Sequence, residues 1–232
     1  MVAAAGTRGE VEQPDFSAAM ARTDRIVGHS AASDLVAAFF DQDGPFDGEL
    51  VHTLPCNLSN EITLQDLYAI TLLDVKVWPR GVRSLLYDAD VREEIGTLLE
   101  AVPVDEDIWE GTTDFGRTAP AYLLWGRLQS FSGVAEVTAS KILCRKRPRL
   151  LPIVDTVVTE MVNAPRLTYW TFFRTYLADD DRRKSVEQLR PKGLDRRVPT
   201  LRLLDVAIWM TGSNGQAAKN VRSRLGIVGR SL

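Results

Sequence analysis

The chain has 232 residues, 45% of them hydrophobic, and a formal net charge of −3. That length and apolar share suit one large or two small globular domains with a real core and exclude a disordered chain. No apolar run reaches bilayer-spanning length, residues 1–6 lack the basic and apolar parts of a signal peptide, and two cysteines, Cys56 and Cys144, cannot supply the four ligands of an iron–sulfur cluster or a structural zinc site. The expectation is a cytoplasmic protein without metal, cofactor or membrane contact, its cysteines unpaired in a reducing compartment. Charge is unevenly spread, with 7 Lys and Arg against 21 Asp and Glu up to residue 110, then 21 against 10. A basic back half can offer a face to a polyanion, or the two halves can neutralise each other across an interface.

Residues 1–30 are small, polar and aperiodic, which predicts a mobile tail with a short helix near 16–21. In 31–40, Leu35, Val36, Phe39 and Phe40 fall at helical spacing, and Asp41-Gln42-Asp43-Gly44-Pro45 breaks the pattern. Residues 46–59 read as irregular or briefly extended. Thr63 followed by Asp66 is a helix start, and Leu67, Ile70, Leu72 and Leu73 give a buried stripe as far as Lys76. Pro79 stops that helix, and a second covers 81–86. Asp88 or Asp90 caps a helix to Glu100, and 105–110 starts another short one. Pro120 suits the first turn of a helix to Phe131, with Leu124 and Leu128 on its packed side and Trp125 beside them.

Behind that helix, Gly133-Val134-Ala135-Glu136-Val137-Thr138-Ala139 puts a glycine turn at the mouth of a second helix over 136–145. Unpaired N–H groups at such a start can hold phosphate. Ala139, Ile142 and Leu143 share one side of this helix, while Val137, Ser140, Lys141 and Cys144 form an opposite face that need not be buried. The basic run Arg145-Lys146-Arg147-Pro148-Arg149 follows, then a lone carboxylate in Val154-Asp155-Thr156, placed to cap the next helix. Residues 169–176 and 185–189 read as helices separated by charged 179–184, residues 190–199 as a basic connector, and 201–210 as an apolar central helix ended by Gly212. The tail carries Lys219, Arg222, Arg224 and Arg230.

The glycine turn, its Thr138-Ala139 continuation and the spacing to Val154-Asp155-Thr156 resemble the helix-hairpin-helix DNA glycosylases of the endonuclease III superfamily. Ser132 stands where the family has proline, and Ala135 replaces its second glycine. The resemblance implies an all-α, two-lobed unit over 31–232, with one lobe of 63–147 ending in the hairpin and the other of 31–62 plus 148–232. It implies Asp155 as the catalytic carboxylate at the cleft, and double-stranded DNA as partner of a monomer. Gly133 and Ala135 would meet the DNA backbone through the hairpin, with Arg145, Lys146, Arg147 and Arg149 as cationic contacts. Trp78, Tyr122 and Trp125 are candidates for base stacking or for a wedge. Bifunctional relatives carry a nucleophilic lysine where this chain has Val137, so hydrolysis without strand cleavage is expected, with Lys141 one turn later as an accessory group. The activity implied is monofunctional excision of a damaged or modified base, as in base-excision DNA repair. Two alternatives stay open: a non-catalytic DNA-binding protein on a degenerate glycosylase fold, and a nucleoside or nucleotide N-glycosidase.

Overall fold

The computed structural model describes residues 14–165 and 167–227, and every regular element among them is helical. The fold class is all-α. Two apolar clusters organise the helices. The first joins α1 (Ser17–Val27), α2 (Ala32–Phe39), α9 (Thr156–Val162), α10 (Tyr169–Ala178), α11 (Asp180–Glu187) and α13 (Gln216–Arg224) around α12 (Thr200–Gly212). All of α12 except Thr200 and Trp209 is buried, as the all-round apolar pattern of 201–210 predicts. The second cluster gathers α4 (Leu64–Ala69), α5 (Pro79–Tyr87), α6 (Ala89–Glu100), α7 (Pro120–Gln129) and α8 (Glu136–Lys146), with Leu150, Leu151 and Val154 beneath them. The non-helical segment 150–155 passes from one cluster to the other.

Local chemistry sets most helix boundaries. Thr63 and Asp66 form a reciprocal cap, with Asp66 Oδ2 accepting from the Thr63 N–H at 2.8 Å. The helix is shorter than its apolar stripe suggests, because it tightens into a 3-10 turn at Ile70–Leu73 and ends at Asp74 with φ of 59°. Asp88 caps α6 through the Val91 N–H at 3.3 Å. Asp179 accepts from the N–H groups of Asp181 and Arg182, so the charged stretch 179–184 is the start of α11 rather than a separator.

The N-terminal expectation needs correction. Residues 1–13 lie outside the described residues, but 17–27 form an eleven-residue helix whose Ala19, Thr23, Ile26 and Val27 are buried, so the tail assigned to 1–30 stops short of 17. Ile26 and Val27, with the smaller Ala19 and Thr23 a turn or two before them, supply its packing face. The stretch 46–59 contains one helical turn, α3 (Leu50–Thr53), and is otherwise irregular. Both cysteines are free, and no described helix is long and apolar enough to cross a membrane.

Candidate functional site

The segment before α9 alternates its side chains between two cavities: Ile153 and Asp155 line one, and Val154 lines the other. Ser140 of α8 sets its position. Its hydroxyl accepts from the Val154 N–H at 3.1 Å and donates to the Val137 carbonyl at 2.9 Å. Asp155 is half-buried, and its Oδ1 accepts from the Val157 N–H at 2.8 Å, so the carboxylate caps α9 as its position predicts. The cap uses only Oδ1, and the same carboxylate opens onto a cavity of about 320 Å³.

That cavity lies at the seam of the two apolar clusters. One wall is aromatic, with Phe39 and Phe46 stacked at 5.1 Å and Trp209 edge-on to both at 5.9 Å. Gly48 makes this wall possible, since a Cβ there would sit 2.1 Å from the Phe39 ring. Leu72, Leu73, Val75, Val137 and Lys141 also line it. Lys141 donates to the Leu73 carbonyl at 2.6 Å, which ties α8 to the left-handed turn at Asp74 on the cavity edge. Burial holds the Lys141 ammonium below the usual lysine range, while Asp155 nearby acts to raise it. From α12, Arg202 and Asp205 form a buried ion pair on the cavity wall. Arg202 Nε and Asp205 Oδ1 have no hydrogen-bond partner. A carboxylate facing a ring-sized, aromatic-walled space can stabilise positive charge that develops on a bound substrate.

The turn between α7 and α8 lies apart from this cavity. Gly133 adopts φ of +80°, and a Cβ there would come within 2.5 Å of the Trp78 ring, so glycine is required on both counts. Trp78 remains 60% exposed over this turn. Gly81 packs against the Ser132 carbonyl, where a Cβ would approach to 2.3 Å. Ala135 is the exposed N-cap of α8 and gives no side-chain cap to the helix N–H groups. Lys76, Arg80 and Arg83 are exposed around Trp78 and make no ion pair with a described residue.

The basic run requires the largest correction. Arg145, Lys146 and Arg147 are at most 2% exposed and are unavailable to an external phosphate. Arg145 pairs with Asp66 and donates to the carbonyls of Val51 and Leu54 at 2.6 and 2.8 Å. Lys146 pairs with the same carboxylate and donates to the Leu58 carbonyl at 3.0 Å. Arg147 donates to carbonyls at Ser59, Leu99 and Val102. These cations bind carbonyls of residues 51–59 to α8. Arg149 stays on the surface, paired with Asp107. The face of α8 that need not have been buried is internal as well, with Ser140, Lys141 and Cys144 buried. Burial pushes the Cys144 thiol up to about 11.

Tyr122 and Trp125 do not line the Asp155 cavity. They belong to the smaller space beyond Val154, with Phe115, Tyr169 and Trp170. Sequence reasoning missed Phe46, Ser140, Arg202, Asp205 and Trp209. Arg202 and Asp205 do leave a signal, a charged i,i+3 pair inside an otherwise apolar helix. Among the described residues no group of three His, Cys, Asp or Glu side chains is arranged to hold a metal ion. Residues 32–212 match the sequence model of a family described as "Family of unknown function (DUF6308)", and the chain belongs to that family. No curated protein and no solved structure matches it.

Proposed function

We propose that this DUF6308 chain is a monofunctional DNA glycosylase of the helix-hairpin-helix type, hydrolysing the N-glycosidic bond of a damaged or modified base. The observation that carries the reading is Asp155 facing an aromatic-walled cavity of about 320 Å³ between the two apolar clusters. Breaking a C1′–N bond builds oxocarbenium character on the sugar, and a fixed carboxylate opposes that charge. At roughly 4 Å and an effective dielectric of about 20, the attraction is about 4 kcal/mol, or about a thousandfold in rate. Val137 lines the cavity where bifunctional relatives place their lysine, and the Lys141 ammonium is held by the Leu73 carbonyl, so water is the acceptor of the sugar.

Duplex DNA would dock on the turn at Gly133 and the uncapped start of α8, where free N–H groups suit a phosphate. Lys76, Arg80 and Arg83 take the backbone-contact role that the sequence assigned to the buried run, and exposed Trp78 is the wedge into the gap left by an extruded base. The test is incubation with duplexes bearing a panel of lesions, followed by alkali. An alkali-labile break at one lesion class is expected, with Asp155→Asn abolishing the break but retaining DNA binding. No break at any lesion, or an unchanged Asp155→Asn rate, overturns the reading. Withdrawal of Arg145, Lys146 and Arg147 from the surface favours one alternative, a nucleoside N-glycosidase using the same carboxylate. Turnover of a free nucleoside without DNA affinity would select it.

A further inference from the structure

The space beyond Val154 has walls unlike those of the Asp155 cavity. Phe115, Trp170, Trp125 and Tyr122 line it and meet in that order as edge-on pairs, with centroids 5.5, 5.9 and 5.4 Å apart and planes at 67°, 60° and 63°. Tyr169 adds a fifth ring, tethered by its hydroxyl, which donates to the Thr159 carbonyl at 3.2 Å. The two indoles are buried, while Phe115, Tyr122 and Tyr169 are partly exposed. Beside Asp155, Phe39 and Phe46 are only 20° from parallel and suit a flat ligand, whereas rings turned steeply against one another suit a rounded one. The space measures about 60 Å³. One water needs about 10–15 Å³, so it takes a compact group that displaces roughly five waters.

The charge around it has one sign. Glu136 lines the space and makes no hydrogen bond or ion pair with a described residue. Arg174 lies outside the lining, 4.0 Å over the Phe115 ring, where Glu106 and Asp114 oppose its charge. Aromatic rings attract a cation through their quadrupole. Apolar walls cannot replace the water around a bare ammonium, but they match one whose hydrogens are replaced by methyl groups. We propose that this space binds a quaternary ammonium ion, a small molecule carrying a trimethylammonium group, with the rings around its methyl groups and Glu136 as its counter-charge. Val154 lines this space and Asp155 the other, so the site is separate from the cavity at Asp155 and does not rest on the glycosylase reading.

Isothermal titration of the full chain with choline and with tetramethylammonium tests the site. Both should bind, at one site per chain. The neutral alcohol in which a tert-butyl group replaces the trimethylammonium of choline should bind at least tenfold more weakly, and so should ethanolamine, which keeps a charge without the methyl groups. Tyr122→Leu, which keeps apolar bulk and removes the ring, should weaken choline at least fivefold, and Glu136→Gln at least threefold. Glu136 is exposed, so its variant keeps the test open should Tyr122→Leu not fold. Equal binding of the neutral alcohol overturns the inference in favour of a plain apolar pocket. Equal binding of ethanolamine overturns it in favour of a carboxylate contact alone. Failure of both quaternary ions to bind, or choline affinity unchanged in either folded variant, overturns it as well. A trimethyllysine peptide held at least tenfold more tightly than choline overturns the small-molecule ligand in favour of a protein partner.

Discussion

The basic end of α8 and the cavity at Asp155 both contain buried charge, and they treat it in opposite ways. At the end of α8 the charge is saturated. Arg147 alone donates to Ser59, Asn60, Leu99, Val102 and Lys146, and one carboxylate, Asp66, serves two cations. At the cavity Arg202 Nε and Asp205 Oδ1 are left over. Each unpartnered atom carries a desolvation cost of about 1–3 kcal/mol. At the end of α8 the saturated charge ties elements together, whereas the ion pair of α12 keeps one donor and one acceptor unsatisfied.

Substitutions can break this contrast. The largest expected effect is on folding: Asp66→Ala leaves Arg145 and Lys146 buried without their carboxylate and should cost about 5 kcal/mol, read from denaturant unfolding. A loss below about 1 kcal/mol would mean that the cluster is not structural. Asp155→Asn is the counterpart. Its rate of base release should fall about a thousandfold while stability changes by less than about 1 kcal/mol, because asparagine caps a helix as well as aspartate does. A fall in melting temperature as large as that of Asp66→Ala would erase the distinction between the two regions.

A smaller effect should appear with pH. His52, on α3, feels both Arg145 and Arg202, and both its ring nitrogens are buried without partners. Burial first, then those two arginines, push it down to about 3 from the ordinary 6.5. Above pH 6.5 it is neutral in both states and contributes no pH dependence. As pH falls below 6.5 the unfolded chain takes up the proton and the folded one does not, so stability is lost down to about pH 3. At pH 5 the loss is about 2 kcal/mol, and His52→Phe should remove it from the pH profile of unfolding. The smallest effect is expected of Trp78→Ala. Its side chain is largely exposed, so stability should barely move while release from duplex DNA drops about tenfold and release from single strands does not. An equal drop on both substrates would remove Trp78 as a wedge.

Much of the helical order is legible from the chain alone, because capping and periodicity act over a few residues. Thr63 with Asp66, Asp88, Asp155, and Pro120 at the start of α7 mark boundaries that the structure reproduces, whereas Pro79, expected to stop one helix, begins the next. Errors fall where a distant partner decides. α1 is mostly polar in isolation and becomes a packed helix because α9 and α12 receive its Ala19, Thr23, Ile26 and Val27 face. Trp125 resembles a stacking residue in the sequence, yet it is buried beside Trp170, on the side of Val154 away from Asp155.

The sequence by itself determined the all-α class, most of the helix caps, and a carboxylate at the start of α9, since each depends on neighbours within a turn or two. Only the tertiary structure decided which charges are available. Four cations in five residues read alike along the chain, but Asp66 and the carbonyls of residues 51–59, eighty to ninety-four residues earlier, draw three of them inside. Arg202 and Asp205 come to line the same cavity as Asp155 only once α12 packs at the centre of the first cluster. Charge is a property of a residue, but its availability is a property of everything packed around it.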